Sequence, residues 1–260
     1  NLLQVVKALV KEIDIPVCVK ARLLTTGVDD SMKLYKKLVD AGISMLTIHG
    51  RSRTEKGPLT KQSDWAAIRK AVDLFGDRIP IIANGSIASL QDVRRCLEVT
   101  NADGVMSSEA ILEYPALFMD EQFHLNTRTG PGRLDLAKEY MQLARKYPPN
   151  KGGQGSGRKC IRMHVHRYLH QDLQDYHDFR DRICSATCLE EVDACLEELT
   201  VIHQKENHDN SQESLAWYVR HRLPDGTNAW GAKKRTDGTT RSHDLTDDAG
   251  ECMASLFGEY

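Results

Sequence analysis

Four short segments carry residue types able to do chemistry: Lys20, His49-Gly50-Arg51, Asn84-Gly85-Ser86 and Ser107-Ser108-Glu109. Lys20 is a fixed cation. His49 adds a donor that switches with protonation, and Arg51 adds a second cation. Asn84 offers an amide, and Gly85 lets another group approach the backbone closely. Ser107-Ser108-Glu109 opens a helical stretch whose first backbone N–H groups suit a phosphate. Together they describe a site for an extended ligand with an anionic tail and an electron-poor head. Each also has a plainer use alone, as a solvated strand end, a structural hydrogen bonder, a turn or a helix cap.

Each segment ends a short apolar run. Runs at 17–20, 43–49, 80–83 and 104–106 read as strands, and their lack of polar alternation predicts burial on both faces. Apolar residues at helical spacing predict helices over 2–13, 30–41, 64–75 and 89–99, the last capped by Ser89. This makes four strand–helix units, which fit part of an eight-stranded (β/α) barrel or a doubly wound sheet. A doubly wound dinucleotide fold calls for G-x-G-x-x-G after its first strand, and none is present. In a barrel the C-terminal strand ends form one face, which gathers all four segments and suggests a flavin mononucleotide (FMN) as the ligand.

The same residues carry a family resemblance. Val19-Lys20-Ala21-Arg22, Leu46 through Arg53 with Lys56-Gly57 and Asp64-Trp65, Ile82 through Ile87, and Gly104-Val105-Met106 resemble tRNA-dihydrouridine synthases. Glu55 through Leu59, Ser107-Ser108-Glu109 and Tyr114 through Phe118 are most similar to the eukaryotic branch acting on tRNA positions 16 and 17 (16/17 synthase-like). The resemblance implies an α/β chain: the C-terminal half of a (β/α)8 TIM barrel over 1–127, then a small helical tRNA-binding domain over 128–215. It also implies FMN-dependent reduction of uridine to 5,6-dihydrouridine in the tRNA D-loop, with NADPH or NADH as electron donor. Lys20, His49, Arg51, Asn84, Gly85, Ser86, Ser108 and Glu109 would bind the cofactor. Ser108-Glu109 stands where many bacterial members have Gly-Arg, so backbone N–H groups and Arg51 would serve the phosphate instead. The family's Asn-x-Gly-Cys-Pro segment, which holds its proton-donating cysteine, is absent. No catalytic residue is therefore assigned, and this chain alone is expected to be an inactive fragment.

The net charge of −2 conceals a strong division. Residues 128–170 hold 10 basic and 2 acidic residues, and 171–215 hold 3 basic and 12 acidic. The basic block contains a predicted helix over 158–176 with Arg158, Lys159, Arg162, His166 and Arg167, the expected RNA-binding set. The plain alternative is that the two blocks pack against each other. Further helices are expected at 133–147 and 189–203, and a mostly disordered tail over 216–260. Cys184, Cys188, Cys195 and His203 fit no common zinc spacing, so no metal is expected. Seven unevenly spread cysteines argue against a disulfide framework and for a reducing compartment. No segment reaches ~18 consecutive apolar residues, and no secretory leader follows Asn1. The expected setting is cytoplasmic or nuclear, with tRNA as partner and no obligate protein partner evident. Two other readings compete: a flavin barrel oxidoreductase for a small pyrimidine, and a non-catalytic RNA-binding remnant. The basic block disfavours the first.

Overall fold

The computed structural model describes residues 2–55, 61–119, 132–148, 156–170 and 172–205. They fall into two compact units, one ending at Ser108 and the other beginning at Glu109. The boundary expected at 127/128 and the tail over 216–260 lie outside the described residues.

The first unit alternates helix and strand: α1 (Leu2–Glu12), β1 (Cys18–Leu23), α2 (Val28–Asp40), β2 (Met45–Ser52), α3 (Trp65–Phe75), β3 (Ile81–Asn84), α4 (Leu90–Thr100) and β4 (Gly104–Met106). The strands are all parallel and lie in sequence order, β1-β2-β3-β4. A doubly wound sheet reverses its strand order at a switch point. This one never does, and α2 packs on α3 and α3 on α4, as in consecutive barrel units. Local chemistry sets the helix starts. The Asp64 carboxylate accepts from the Ala67 N–H at 2.8 Å, and the Ser89 hydroxyl accepts from the Asp92 N–H at 3.1 Å, the latter as the sequence predicts.

The sheet has two unlike faces. Leu46, Ile48, Ile81 and Ala83 are fully buried on the helix side. The opposite face is exposed at Cys18 and Lys20, half-buried at Arg22, Met45, His49, Ile82 and Met106, and buried at Thr47 and Asn84. Burial on both faces, as predicted, therefore holds in part on β2 and β3 and fails on β1. β1 in particular alternates exposed and partly covered residues from Cys18 to Ala21.

The second unit is helical: α5 (Glu109–Glu113), a 3-10 turn (Pro115–Phe118), α6 (Arg133–Lys146), α7 (Ser156–Tyr168), α8 (Asp172–Asp175), α9 (His177–Ser185) and α10 (Leu189–Lys205). α5 belongs here because it packs on α7, and the Arg133 guanidinium donates to the Glu113 carbonyl at 3.1 Å. Met141, Val165, Leu169, Leu173, Ile183 and Leu199 form the centre of the core. The helix expected over 158–176 stops at Tyr168, and α9 follows as a separate helix. α6 packs on α10 and Arg145 pairs with Asp193, so the basic and acidic blocks do meet. Among the described residues Cys18, Cys96, Cys160, Cys188 and Cys195 are free thiols.

Candidate functional site

Strand register decides which side chains share a layer on the open face. Arg22, His49, Asn84 and Met106 are successive cross-strand partners and form the upper layer. Lys20, Thr47, Ile82 and Gly104 form the layer beneath, and Cys18 with Met45 the next. Layers two residues apart are separated by about 7 Å along a strand. Lys20 is thus mid-strand rather than terminal, one layer below His49. The residue level with His49 is Arg22, which sequence reasoning passed over although it stands in Val19-Lys20-Ala21-Arg22. Arg22 Nη1 donates to the Ser52 carbonyl at 2.9 Å. Partial burial, followed by the nearby Arg22 charge, holds the Lys20 ammonium below its ordinary pKa. These layers contain two cations, an imidazole and an amide, and no carboxylate.

Behind the upper layer lies a buried polar network. Arg51 is 3% exposed. Its Nε donates to the Lys61 carbonyl, its Nη2 to Ser86 Oγ at 3.0 Å, and its Nη1 lies 3.2 Å from His49 Nε2. Ser86 Oγ also accepts from the Ser63 N–H at 2.9 Å, and Ser63 Oγ donates to the Asn84 carbonyl at 3.1 Å. Trp65 Nε1 donates to the Gly85 carbonyl at 3.1 Å, and the Asp64 N–H donates to the Gly50 carbonyl at 2.6 Å. Ser63, Asp64 and Trp65 therefore clamp the exits of β2 and β3. Of these, only Asp64-Trp65 drew attention in the sequence, and Ser63 carried no signal there.

Two glycines make the clamp possible. A Cβ at Gly50 would lie 2.5 Å from Ser63 Oγ and 2.7 Å from the Asp64 carbonyl oxygen. Gly85 has φ +104°, and a Cβ there would lie 2.8 Å from His49 Cδ2. Ser86 follows at φ 60°, a left-handed conformation uncommon for a residue with a side chain. Asn84 is buried, and its Nδ2 donates to the Met106 carbonyl at 2.8 Å.

The remaining candidates are placed differently. Ser107 Oγ donates to the Ile87 carbonyl at 2.9 Å, and Ser108 is exposed. Glu109 begins α5, which has only five residues, so its helix dipole is small. Arg51 faces inward with three partners, which removes it as a compensating cation for a phosphate. Residues 56–60, part of the motif that prompted the resemblance, lie outside the described residues.

In the helical unit, the expected RNA-binding face divides. Arg162 Nη1 donates to the Cys184 and Ala186 carbonyls at 2.6 and 2.8 Å, and Arg158 donates to the Thr187 carbonyl. Both close off carbonyls at and beyond the end of α9. His166 is fully buried, and burial together with His170, Arg180 and Arg167 pushes its pKa down to about 4. Lys159 and Arg167 are half-buried. Among the described residues no group of three or more His, Cys, Asp or Glu is placed to hold a metal ion. No described helix is long and apolar enough to cross a membrane.

The family model described as "Dihydrouridine synthase (Dus)" matches residues 1–206. The NAD(P)(+) tRNA-dihydrouridine(16/17) synthase-like protein of Mus musculus is 33% identical over 208 residues, covering 79% of this chain and 39% of that protein. The tRNA-dihydrouridine(16/17) synthase of Saccharomyces cerevisiae is 28% identical over 180 residues, covering 69% of this chain and 41% of that protein. The probable tRNA-dihydrouridine synthase 1 of Synechocystis is 36% identical over 159 residues, covering 57% and 42%. The chain thus spans roughly two fifths of the length of the relatives it matches. With the family model covering 1–206 and a parallel sheet wound in sequence order, this chain belongs to the dihydrouridine synthase family, whose fold is the TIM barrel.

Proposed function

We propose that this chain forms the second half of the flavin-binding barrel, with the helical tRNA-contacting unit, of an enzyme that reduces D-loop uridine to 5,6-dihydrouridine using NADPH or NADH. One observation carries the reading: Lys20, Arg22, His49 and Asn84 share the open face of the sheet with no carboxylate among them. That donor set suits FMN, whose reduced pyrimidine edge is rich in acceptors and negative charge. When bound, the flavin supplies the hydride that uracil C6 receives.

The chain's own part is to hold and orient. Lys20 contributes a cation that favours an anionic ring. His49 and Asn84 orient the ligand, and Gly85 and Ser86 shape the turn beside them. Ser108, with the first N–H groups after it, is the candidate for the phosphate, and Glu109 weakens that end by its charge. None of the described cysteines is assigned the proton to uracil C5. Burial pushes the Cys96 thiol up to about 11 and raises Cys195 as well. Cys18 is four residues before Arg22 on β1, about 13 Å along the strand. The helical unit meets tRNA through Lys159 and Arg167, with Arg158 partly committed to α9 and His166 excluded by burial.

The test is a chimaera in which these 260 residues replace the matching segment of the yeast relative, expressed in yeast lacking that relative. Dihydrouridine at tRNA positions 16 or 17 supports the reading. A folded, flavin-loaded chimaera that leaves both positions as uridine overturns it. The fragment reading has its own outcome: the 260-residue chain alone forms no dihydrouridine, since the four strands among the described residues cannot close a barrel.

A further inference from the structure

Two consecutive residues at the exit of β3 run left-handed: Gly85 at φ +104° and Ser86 at φ 60°. Glycine reaches such a φ freely, whereas a residue with a side chain does so uncommonly. Among the described residues only Ser86 and Asn101 are non-glycines at positive φ. Asn101 closes the C-terminal end of α4, a usual place for that conformation. Ser86 ends no helix. A left-handed serine there persists because its surroundings hold it, and such held positions cluster at ligand clamps.

Ser63 grips the turn on both sides of Gly85. Its N–H donates to Ser86 Oγ at 2.9 Å, and its Oγ donates to the Asn84 carbonyl at 3.1 Å. The same Oγ is seated between two glycines, 2.5 Å from where a Cβ would stand at Gly50 and 2.7 Å from one at Gly85. Ser63 is buried, which shields both bonds from water. Arg51 Nη2 adds a second donor to Ser86 Oγ at 3.0 Å, and Trp65 Nε1 donates to the Gly85 carbonyl at 3.1 Å. The peptide units here are trans, so each N–H points away from the C=O of its own unit. With the Asn84 and Gly85 carbonyls drawn toward Ser63 and Trp65, the N–H groups of Gly85 and Ser86 are turned the other way.

We propose that Ser63 is a positioning residue that locks Asn84-Gly85-Ser86 in this left-handed course, so that the turn has its shape before a ligand arrives. Ser63 acts through Asn84 and Ser86 and touches no ligand itself. A turn left to order on binding would take part of the ligand's binding free energy, so the lock shows as affinity. The consequence for FMN rests on the flavin reading above, whereas the lock does not.

The experiment compares wild type with Ser63→Ala in the full 260-residue chain, by nuclear Overhauser spectroscopy and by FMN titration. A positive φ brings a residue's own amide proton close to its Hα, so wild-type Ser86 should give a strong intraresidue cross-peak. Ser63→Ala should weaken that peak and raise the Kd for FMN about tenfold, the scale of one buried hydrogen bond. Should that variant fail to fold, Ser63→Cys keeps the side chain's length, weakens the donor, and is read in the same way. A serine that merely adds stability would lower the urea midpoint and leave the Ser86 peak and the affinity of the folded variant unmoved. That result, or a weak Ser86 peak in wild type, overturns the proposal, as does a variant that loses the peak yet binds FMN as wild type does. If the wild-type chain binds no FMN, the flavin site fails and the Ser86 peak alone decides the lock: its loss in the variant supports it, and its retention overturns it.

Discussion

The two units use the same residue types in opposite ways. In the sheet unit, Lys20, Arg22 and His49 line a face that is open or half-open, and the groups that orient them lie behind it. In the helical unit, His166, Asp172 and Arg180 are buried, and His203 Nε2 lies 3.0 Å from Asp172 Oδ1, tying α8 to α10. Arg162 completes a helix end instead of facing solvent. A histidine or arginine in a basic stretch therefore says little about ligands until its register or helix face is known. The comparison teaches that the first unit keeps some cations, such as Lys20, open above a buried polar network, and that many polar groups in the second hold the unit together.

The largest effect should come from filling the clamp. Gly50→Ala puts a methyl 2.5 Å from Ser63 Oγ and 2.7 Å from the Asp64 carbonyl oxygen, and the backbone contact cannot yield easily. A loss of about 3 kcal/mol or more is expected from overpacking, read by urea unfolding. A loss below ~1 kcal/mol would show that the clamp is loose, which would blur the contrast between the units.

Acid should separate the units next. Burial pushes His166 and His170 down to about 4, with Arg133 adding to the effect at His170. An unfolded histidine titrates near 6.5, so between roughly pH 6.5 and 4 the unfolded chain binds more protons. Stability of the helical unit should therefore fall as pH drops through that window. The loss should be on the order of 3 kcal/mol for the coupled pair. Exposed Asp29, Asp30 and Asp40, lowered by lysine or arginine partners, act only from below about pH 4. Hydrogen exchange followed from pH 7 to 4.5 should show the helical unit opening while the sheet unit holds. Simultaneous opening would break the comparison.

A middle-sized effect is expected at Arg162. Arg162→Met leaves the Cys184 and Ala186 carbonyls without this donor and should cost about 1–3 kcal/mol in the helical unit. Its effect on the salt dependence of tRNA binding should be close to nil. Lys159→Met, by contrast, should reduce the log–log salt slope by about 0.7–0.9. An Arg162 variant that lowers the slope without loss of stability would restore it to the RNA-facing set.

The smallest effect on stability belongs to Lys20. Its side chain is exposed, so Lys20→Met should change unfolding free energy by no more than about 0.5 kcal/mol. The same change should weaken FMN binding clearly. Equal affinity in the variant would remove Lys20 from the site.

Much of the sheet unit was legible because barrel strands are short, apolar and closed by polar or glycine residues. All four strands and four helices appear within a few residues of their expected places. Register was not legible. β1 runs on to Leu23 through pairing with β2, and the pairing of Lys20 with Thr47 and Arg22 with His49 sets Lys20 below His49. Pairing is a property of two strands, and no local pattern in 17–20 announces it. The inward turn of Arg51 was likewise hidden, because its partners come from Lys61 and Ser86, far along the chain. In the helical unit the break after Tyr168 has no glycine or proline to mark it, since Tyr168-Leu169-His170 is bounded by packing. His166 looked like part of a basic face by i,i+4 spacing with Arg162. It is instead buried on α7, as are Ile161 and Val165.

The central claim, that the open face of the sheet is where a flavin binds, can be met directly by titrating the isotope-labelled 260-residue chain with FMN and following backbone and side-chain resonances. The account predicts shifts centred on Lys20, Arg22, His49, Asn84 and Gly85, with the helical unit unmoved and the shifts lost in Lys20→Met. Shifts confined to α7 and α10, or a sheet face that does not respond at saturating FMN, would contradict it.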